Sequence, residues 1–200
     1  MTPKDPGDGP LIDRCLGGDL EAYGEIVDRY SGRLINVALM MVGDRHDAED
    51  LAQEAFIRAY RGLGNFRGRA RFSSWLYQIT LNLCRDHLKA RSRRGQRMEE
   101  EALESVADGG DAVPATRALL EAELSETMRR EINTLPYVYR EAFVLRHLQG
   151  LEYEEVAGIT GVPADTVRVR AYRAREMLRE KLAPAVDTYW REKAAKERVR

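Results

Sequence analysis

Between Asp44 and Gly64 the apolar residues recur at steps of three and four: Ala48, Leu51, Ala52, Ala55, Phe56, Ala59 and Tyr60. That spacing lines one side of a 3.6-residue helix and does not fit the two-residue alternation of a strand. Asp44 stands where an N-cap belongs, with Asp47 at the third position, and Gly62 and Gly64 supply the stop. A long amphipathic helix is therefore the firmest local feature of the chain, and its neighbours must offer it an apolar surface.

The same period runs from Leu11 to Leu39, broken by the turn-forming Leu16-Gly17-Gly18-Asp19, which predicts two helices. After the loop from Asn65 to Arg71, a further helix is expected from Ser73 to about Arg91, capped by Ser73 or Ser74. Periodicity fades between about Ser92 and Pro114, a charged stretch punctuated by Gly95, Gly109, Gly110 and Pro114. Helices resume near Thr116, break at Leu135-Pro136, and continue over Tyr137–Gln149, Tyr153–Thr160 and Ala164–Leu182. No strand pattern or internal repeat interrupts this series. The expected architecture is all-α, with two small helical domains at 11–94 and 117–183 joined by a flexible linker at 95–116. Residues 1–10 are expected to be disordered, and the polar tail 184–200 frayed.

The formal net charge of -1 conceals a strong segregation. Residues 1–57 hold five Lys or Arg against twelve acids, residues 58–97 eleven against one, and residues 99–131 three against ten. A basic block between acidic ones is the electrostatic footprint of a nucleic-acid reader with a second, acidic surface. Within the block Phe66, Phe72, Trp75 and Tyr77 interleave with Arg67, Arg69 and Arg71. Aromatic faces can stack on unpaired bases, at about 1–3 kcal/mol each, while guanidinium groups follow the phosphates, so the pattern suits single-stranded DNA. Phe72, Trp75, Leu76 and Ile79 also fit a core stripe, and Asn82 and Asp86 share a helical face on which either can meet a base edge or water.

Residues Tyr153 to Arg175 have the proportions of a helix-turn-helix: a short helix with Val156, Ala157 and Ile159, a turn at Gly161, Val162 at the corner, and an arginine-rich second helix. Val167, Ala171 and Leu178 are expected inward, and Arg168, Val169, Tyr172, Arg173 and Arg175 outward, where arginine forks suit guanine edges and phosphates. Asp50 and Glu54 form an i, i+4 like-charge pair near Gln53, a mild cost that hints at a basic protein surface as partner.

Other chemistries find little support. His46, His87 and His147 are isolated, the glycines form no phosphate-binding loop, and Cys15 and Cys84 lack zinc spacing, so no catalytic, cofactor or metal site is expected. The start carries no basic-then-apolar leader and no long apolar run follows, so a cytoplasmic protein is expected, without membrane insertion or a small-molecule substrate.

Residues 47–60 (DAEDLAQEAFIRAY), 66–79 (FRGRARFSSWLYQI), Asn82 and Asp86 resemble the second region of extracytoplasmic-function (ECF) sigma factors. Residues 135–143 (LPYVYREAF), 153–157 (YEEVA) and 165–175 (DTVRVRAYRAR) resemble the fourth. The resemblance implies that Asp50, Gln53 and Glu54 dock on the β′ coiled coil of core RNA polymerase, whose β flap is a second contact. It implies that Phe66, Arg67, Arg69, Arg71, Phe72, Trp75, Asn82 and Asp86 engage the melted minus-10 element. Thr166, Arg168, Val169, Tyr172, Arg173 and Arg175 would read the minus-35 duplex in the major groove. An anti-sigma factor is the implied regulator. The chain departs from the pattern at Asp165, where a small residue is common, and at Val169, where serine is common. The rival reading is a helix-turn-helix regulator that binds DNA without docking on polymerase.

Overall fold

The computed structural model describes residues 8–68, 70–99 and 117–197, and every described regular element is helical. Helices α1 (Asp8–Leu16), α2 (Leu20–Val42), α3 (Arg45–Gly62) and α4 (Phe72–Glu99) form the first unit. Helices α5 (Arg117–Thr134), α6 (Tyr137–Phe143), α7 (Tyr153–Thr160) and α8 (Ala164–Glu197) form the second. Residues 1–7 and 100–116, on which most of the expected disorder and linker falls, and Arg69 lie outside the described residues.

Local chemistry accounts for most helix ends. Asp19 caps α2 by accepting from the Ala22 amide at 3.2 Å, and Asp44 caps α3 by accepting from the Asp47 amide at 2.9 Å. That second bond holds the Asp44 carboxyl below the usual carboxylate range. Gly43 closes α2 at φ 86°, a left-handed conformation that a side chain would strain. Between α2 and α3 the seam is small: Ala48, Ala55 and Ala59 are fully buried against a face of α2 that includes Ile26, Tyr30, Leu34 and Val37. Alanines there let the two backbones approach.

Four helix ends differ from expectation. Helix α1 starts at Asp8 rather than Leu11, because the Asp8 carboxylate is buried and accepts from the Tyr30 hydroxyl at 2.5 Å and from Arg29 at 2.7 Å. Helix α4 starts at Phe72, so Ser73 and Ser74 sit buried in its first turn instead of capping it, and it runs on to Glu99. Helix α8 passes through Pro184 to Glu197. A proline removes one amide donor, but Leu182, Ala183 and Ala185 around it favour helix, and the backbone continues.

The two units pack on each other. The Tyr77 hydroxyl meets the Gln149 side chain at 3.0 Å, the Tyr137 hydroxyl donates to the Leu81 carbonyl at 2.9 Å, and Arg140 donates to the Met41 carbonyl. Gln149 is presented by a π-helical turn, Val144–Leu148, that ends α6.

Asp8→Ala removes the buried carboxylate that accepts from the Tyr30 hydroxyl and from Arg29, and the expected loss is about 1–3 kcal/mol in urea denaturation, with faster amide exchange confined to α1.

Candidate nucleic-acid interface

The aromatic-basic segment is built on the turn between α3 and α4. Leu63–Asn65 forms a single 3-10 turn, after which Phe66 packs edge-on against Phe72 with centroids 5.3 Å apart and tilted against Trp75 at 5.2 Å. Phe72 is only 3% exposed and also contacts Tyr30. It serves as the floor under the other two rings, and its own face is closed to a base. Trp75 is half-buried: it lies over Gly62, where an added Cβ would meet its ring at 3.4 Å. The glycine that ends α3 thus also makes room for the indole.

Phe66, Arg67, Arg71, Trp75 and Gln78 wall a cavity of about 530 Å³, large enough for a base and its sugar, whose far side is formed by Glu154, Glu155 and Ile159 of α7. Arg67 is exposed, whereas Arg71 is paired with Glu155 at 3.0 Å. Asn82 and Asp86 are exposed on α4, one and two turns beyond Gln78. Gln78 went unmarked in the sequence, although it stands four residues before Asn82 on the same face.

Helix α3 presents the acidic surface. Asp50 and Gln53 are exposed, and Glu54 is half-buried. The Asp50–Glu54 repulsion is offset on one side, because Arg58 lies 2.7 Å from Glu54, while the His46 ring lies 3.2 Å from Asp50. Like-charge strain is therefore a weak pointer to a partner here. Apolar exposure is a stronger one: Ile57 at 45% and Tyr60 at 44% lie one and two turns beyond Gln53. Tyr60, expected in the core stripe, is instead turned out against Tyr23 with centroids 4.9 Å apart. A helical wheel centred on Ala48, Ala52, Ala55 and Ala59 leaves both residues off the buried arc, the signal by which they are legible.

In the second unit the expected corner is present. Helix α7 opens on a capping box in which the Glu152 amide donates to the Glu155 carboxylate at 3.1 Å, and it ends at Gly161 with φ 73°. Val156, Ile159, Val167, Ala171 and Leu178 are buried, while Ala157 and Val162 are partly buried beside them. Helix α8 turns Arg168, Val169, Tyr172, Arg173 and Arg175 to solvent, with Thr166 half-buried. Arg168 is paired with Asp165 at 2.8 Å and lies over the Tyr153 ring at 5.1 Å, and Arg175 lies over Tyr172 at 5.7 Å. Asp165 thus acts first on its own arginine. Behind this face Arg170 reaches the buried Glu141 at 3.7 Å, and Arg85 of α4 reaches it from the other side at 3.1 Å. Burial pushes the Glu141 carboxyl up, against the pull of the two guanidinium groups.

The arrangement holds two surfaces of different chemistry: stacking rings and arginines around a base-sized cavity, and an exposed helix of the size and composition that enters a major groove. Among the described residues, no helix is long and apolar enough to cross a membrane.

Residues 26–94 match the family "Sigma-70 region 2" and residues 125–178 the family "Sigma-70, region 4". The chain is 38% identical over 182 residues to the RNA polymerase sigma-H factor of Pseudomonas aeruginosa, covering 88% of this chain and 94% of that protein. It is 37% identical over 184 residues to the ECF RNA polymerase sigma-E factor of Escherichia coli K12, covering 90% and 96%. The sigma factor RpoE of Bartonella quintana, solved with the anti-sigma factor NepR, has a similar structure, with a TM-score of 0.64, 25% identity, and 80% of this chain and 96% of that one covered. CnrH, solved with the cytosolic domain of CnrY, shares the fold at a TM-score of 0.64 and 23% identity, over 87% of this chain and 96% of that one. With two regional matches in order and curated relatives aligned over nearly their whole length, the chain belongs to the sigma-70 family, within its ECF class.

Proposed function

We propose that this protein is a promoter-specificity subunit: it joins core RNA polymerase in the cytoplasm, directs it to particular promoters and assists melting at the minus-10 element, without catalysing a reaction of its own. The observation that carries this reading is the presence in one chain of two unlike DNA surfaces, a stacking cavity around Phe66 and Trp75 and an arginine-bearing helix outside Val167 and Ala171. A regulator that reads only duplex DNA needs the second and has no use for the first.

The unit at 11–94 takes core polymerase and the minus-10 strand, and the unit at 117–183 takes the minus-35 duplex. Polymerase docking falls to Asp50, Gln53 and Glu54, extended by the exposed Ile57 and Tyr60. A polar acidic rim around two apolar side chains is a surface suited to a basic helical partner. Phe66 and Trp75 stack on unpaired bases over the floor made by Phe72, Arg67 and Arg71 follow the phosphates, and Gln78, Asn82 and Asp86 face base edges. Arg69 belongs to the same loop by sequence. Thr166, Arg168, Val169, Tyr172, Arg173 and Arg175 line the major-groove side of α8. Each half binds modestly, and the linkage converts two modest contacts into one strong one. The structurally similar RpoE, solved with the anti-sigma factor NepR, supports regulation of this chain by such a partner.

The test is transcription in vitro by core polymerase on genomic fragments, with and without the protein. Added protein is expected to create defined start sites. Glu54→Lys is expected to weaken core binding at least about tenfold and depress every start site alike, since like charges across an interface cost several kcal/mol. Arg173→Ala is expected to cost about 1–3 kcal/mol at promoters carrying its preferred base and little elsewhere. Asp165→Ser releases Arg168 and is expected to tighten minus-35 duplex binding and steepen its salt dependence by about one phosphate contact, read by fluorescence anisotropy across a salt series. Unspecific transcription with the protein present, alongside duplex binding by the protein alone, assigns it instead to the regulators that act without polymerase.

A further inference from the structure

The start of the helix-turn-helix carries a row of alternating charges built around one ring. Arg146 of the π-helical turn lies over the Tyr153 ring at 4.7 Å, and Arg168 of α8 lies over the same ring at 5.1 Å. Two guanidinium groups that share a ring repel each other, and each is balanced by a carboxylate: Glu152 stands 3.7 Å from Arg146, and Asp165 stands 2.8 Å from Arg168. These side chains come from the π-helical turn, the opening of α7 and the first turns of α8, all within the second unit.

The two ends of the row are held differently. Arg146 also donates to the Leu151 carbonyl at 2.9 Å, which ties it to the backbone just before the ring, and only 27% of its side chain is exposed. Gly150, at φ 71°, turns the chain so that Leu151 is buried and Tyr153 opens α7. There the capping box of Glu152 and Glu155 pins the helix start, and Val156, one turn on, is fully buried. Tyr153 is therefore a rigid platform, itself partly buried against the core. Arg168 is the outer arm: 56% of its side chain is exposed, and its carboxylate partner Asp165 is 90% exposed.

An exposed ion pair three residues apart on a helix constrains an arginine little by itself. A ring adds direction, because it favours the flat side of a guanidinium and leaves the in-plane donors pointing outward. Those donors are the ones that meet O6 and N7 of guanine as a bidentate pair. Arg168 lies in the first turns of α8, the part of a recognition helix that contacts base edges. A long side chain ordered before binding also loses less rotamer freedom when it meets the base.

We propose that Tyr153 is a positioning residue for minus-35 specificity: buttressed by Arg146, its ring orients Arg168 toward a guanine in the major groove, while Asp165 holds the same arginine until the base replaces it. The inference rests on the proposed placement of α8 in the minus-35 duplex and adds to it a residue of α7, outside the recognition helix. Tyr153 acts on the direction of Arg168 and not on the number of phosphates neutralised. Base discrimination at one position therefore depends on it, and the salt dependence of binding does not.

The experiment measures binding of the holoenzyme, core polymerase with the full chain, to promoter duplexes in which each minus-35 base pair is substituted in turn. Arg168→Ala first identifies the pair that this arginine reads, as the position at which discrimination disappears. Tyr153→Leu is expected to lower discrimination at that same pair about three- to fivefold, the size of one exposed cation–π contact, with other positions within about twofold of wild type and the salt slope unchanged. Tyr153→Phe keeps the ring and is expected to retain wild-type discrimination. Adding Tyr153→Leu to Arg168→Ala is expected to cost nothing further at that pair, and a further loss there overturns the inference. Should Tyr153→Leu lose helix content by circular dichroism, Arg168→Lys carries the test: it keeps the charge, gives up the planar fork, and is expected to lose discrimination at the same pair with an unchanged salt slope. Equal losses at every base pair with Tyr153→Leu, Tyr153→Phe as damaging as Tyr153→Leu, or full discrimination by Arg168→Lys overturns the inference. If Arg168→Ala changes no base preference, the reading of α8 at that residue fails; if it abolishes the preference and Tyr153→Leu leaves it intact, that reading stands and the role of Tyr153 alone falls.

Discussion

Glu141 is the constraint on which the arrangement of this molecule turns. Its carboxylate sits on α6 at 3% exposure, held by Arg170 of α8 from within its own unit and by Arg85 of α4 from the other. A buried charge is tolerable only when it is paired, and removing one partner of such a pair is costly. Arg170 stands on the inner side of the helix whose outer side carries Arg168, Val169, Tyr172 and Arg173. The ion pair that sets the rotation of α8 against its core is therefore also the point at which the first unit grips the second.

Around that point the chain divides its chemistry by surface. Acidic residues gather on the exposed face of α3, beside Ile57 and Tyr60, while the basic block surrounds the α3–α4 turn and the exposed face of α4. The alanine seam of α3 against α2 keeps these two faces at a fixed angle, because small side chains at 0% exposure leave no slack for the helices to slide. Phe72 gives the stacking rings a rigid base in the same core, and Gly62 provides the space in which Trp75 lies. A stacking site needs such support, since a ring that must be ordered on binding loses part of its gain to entropy.

Elements with strong local signals were legible in the sequence. The α3 start followed from Asp44, and α7 with its corner followed from the short apolar pattern and Gly161, because caps and left-handed glycines act within a few residues. The inward set Val167, Ala171 and Leu178 followed from period alone. What was hidden depends on distant partners. The α1 start needs Tyr30 and Arg29 to make Asp8 a core residue, and Ser73 and Ser74 look like caps until the packing of Phe72 extends the helix past them. Tyr60 reads as core by spacing, yet Tyr23 meets it edge-on at the surface. The pairing of Arg71 with Glu155 joins residues 84 positions apart, beyond any periodicity.

The central claim is that one chain reads DNA in two forms, as single strand at the α3–α4 turn and as duplex at α8. Permanganate footprinting of thymines in complexes of core polymerase, this protein and a promoter tests it most directly. The account predicts reactive thymines confined to the minus-10 element with the intact protein. With Trp75→Ala it predicts their loss by at least about tenfold, matching about 1.4 kcal/mol or more of stacking, while protection at minus-35 persists. Undiminished melting with Trp75→Ala, or loss of both signals together, would contradict it.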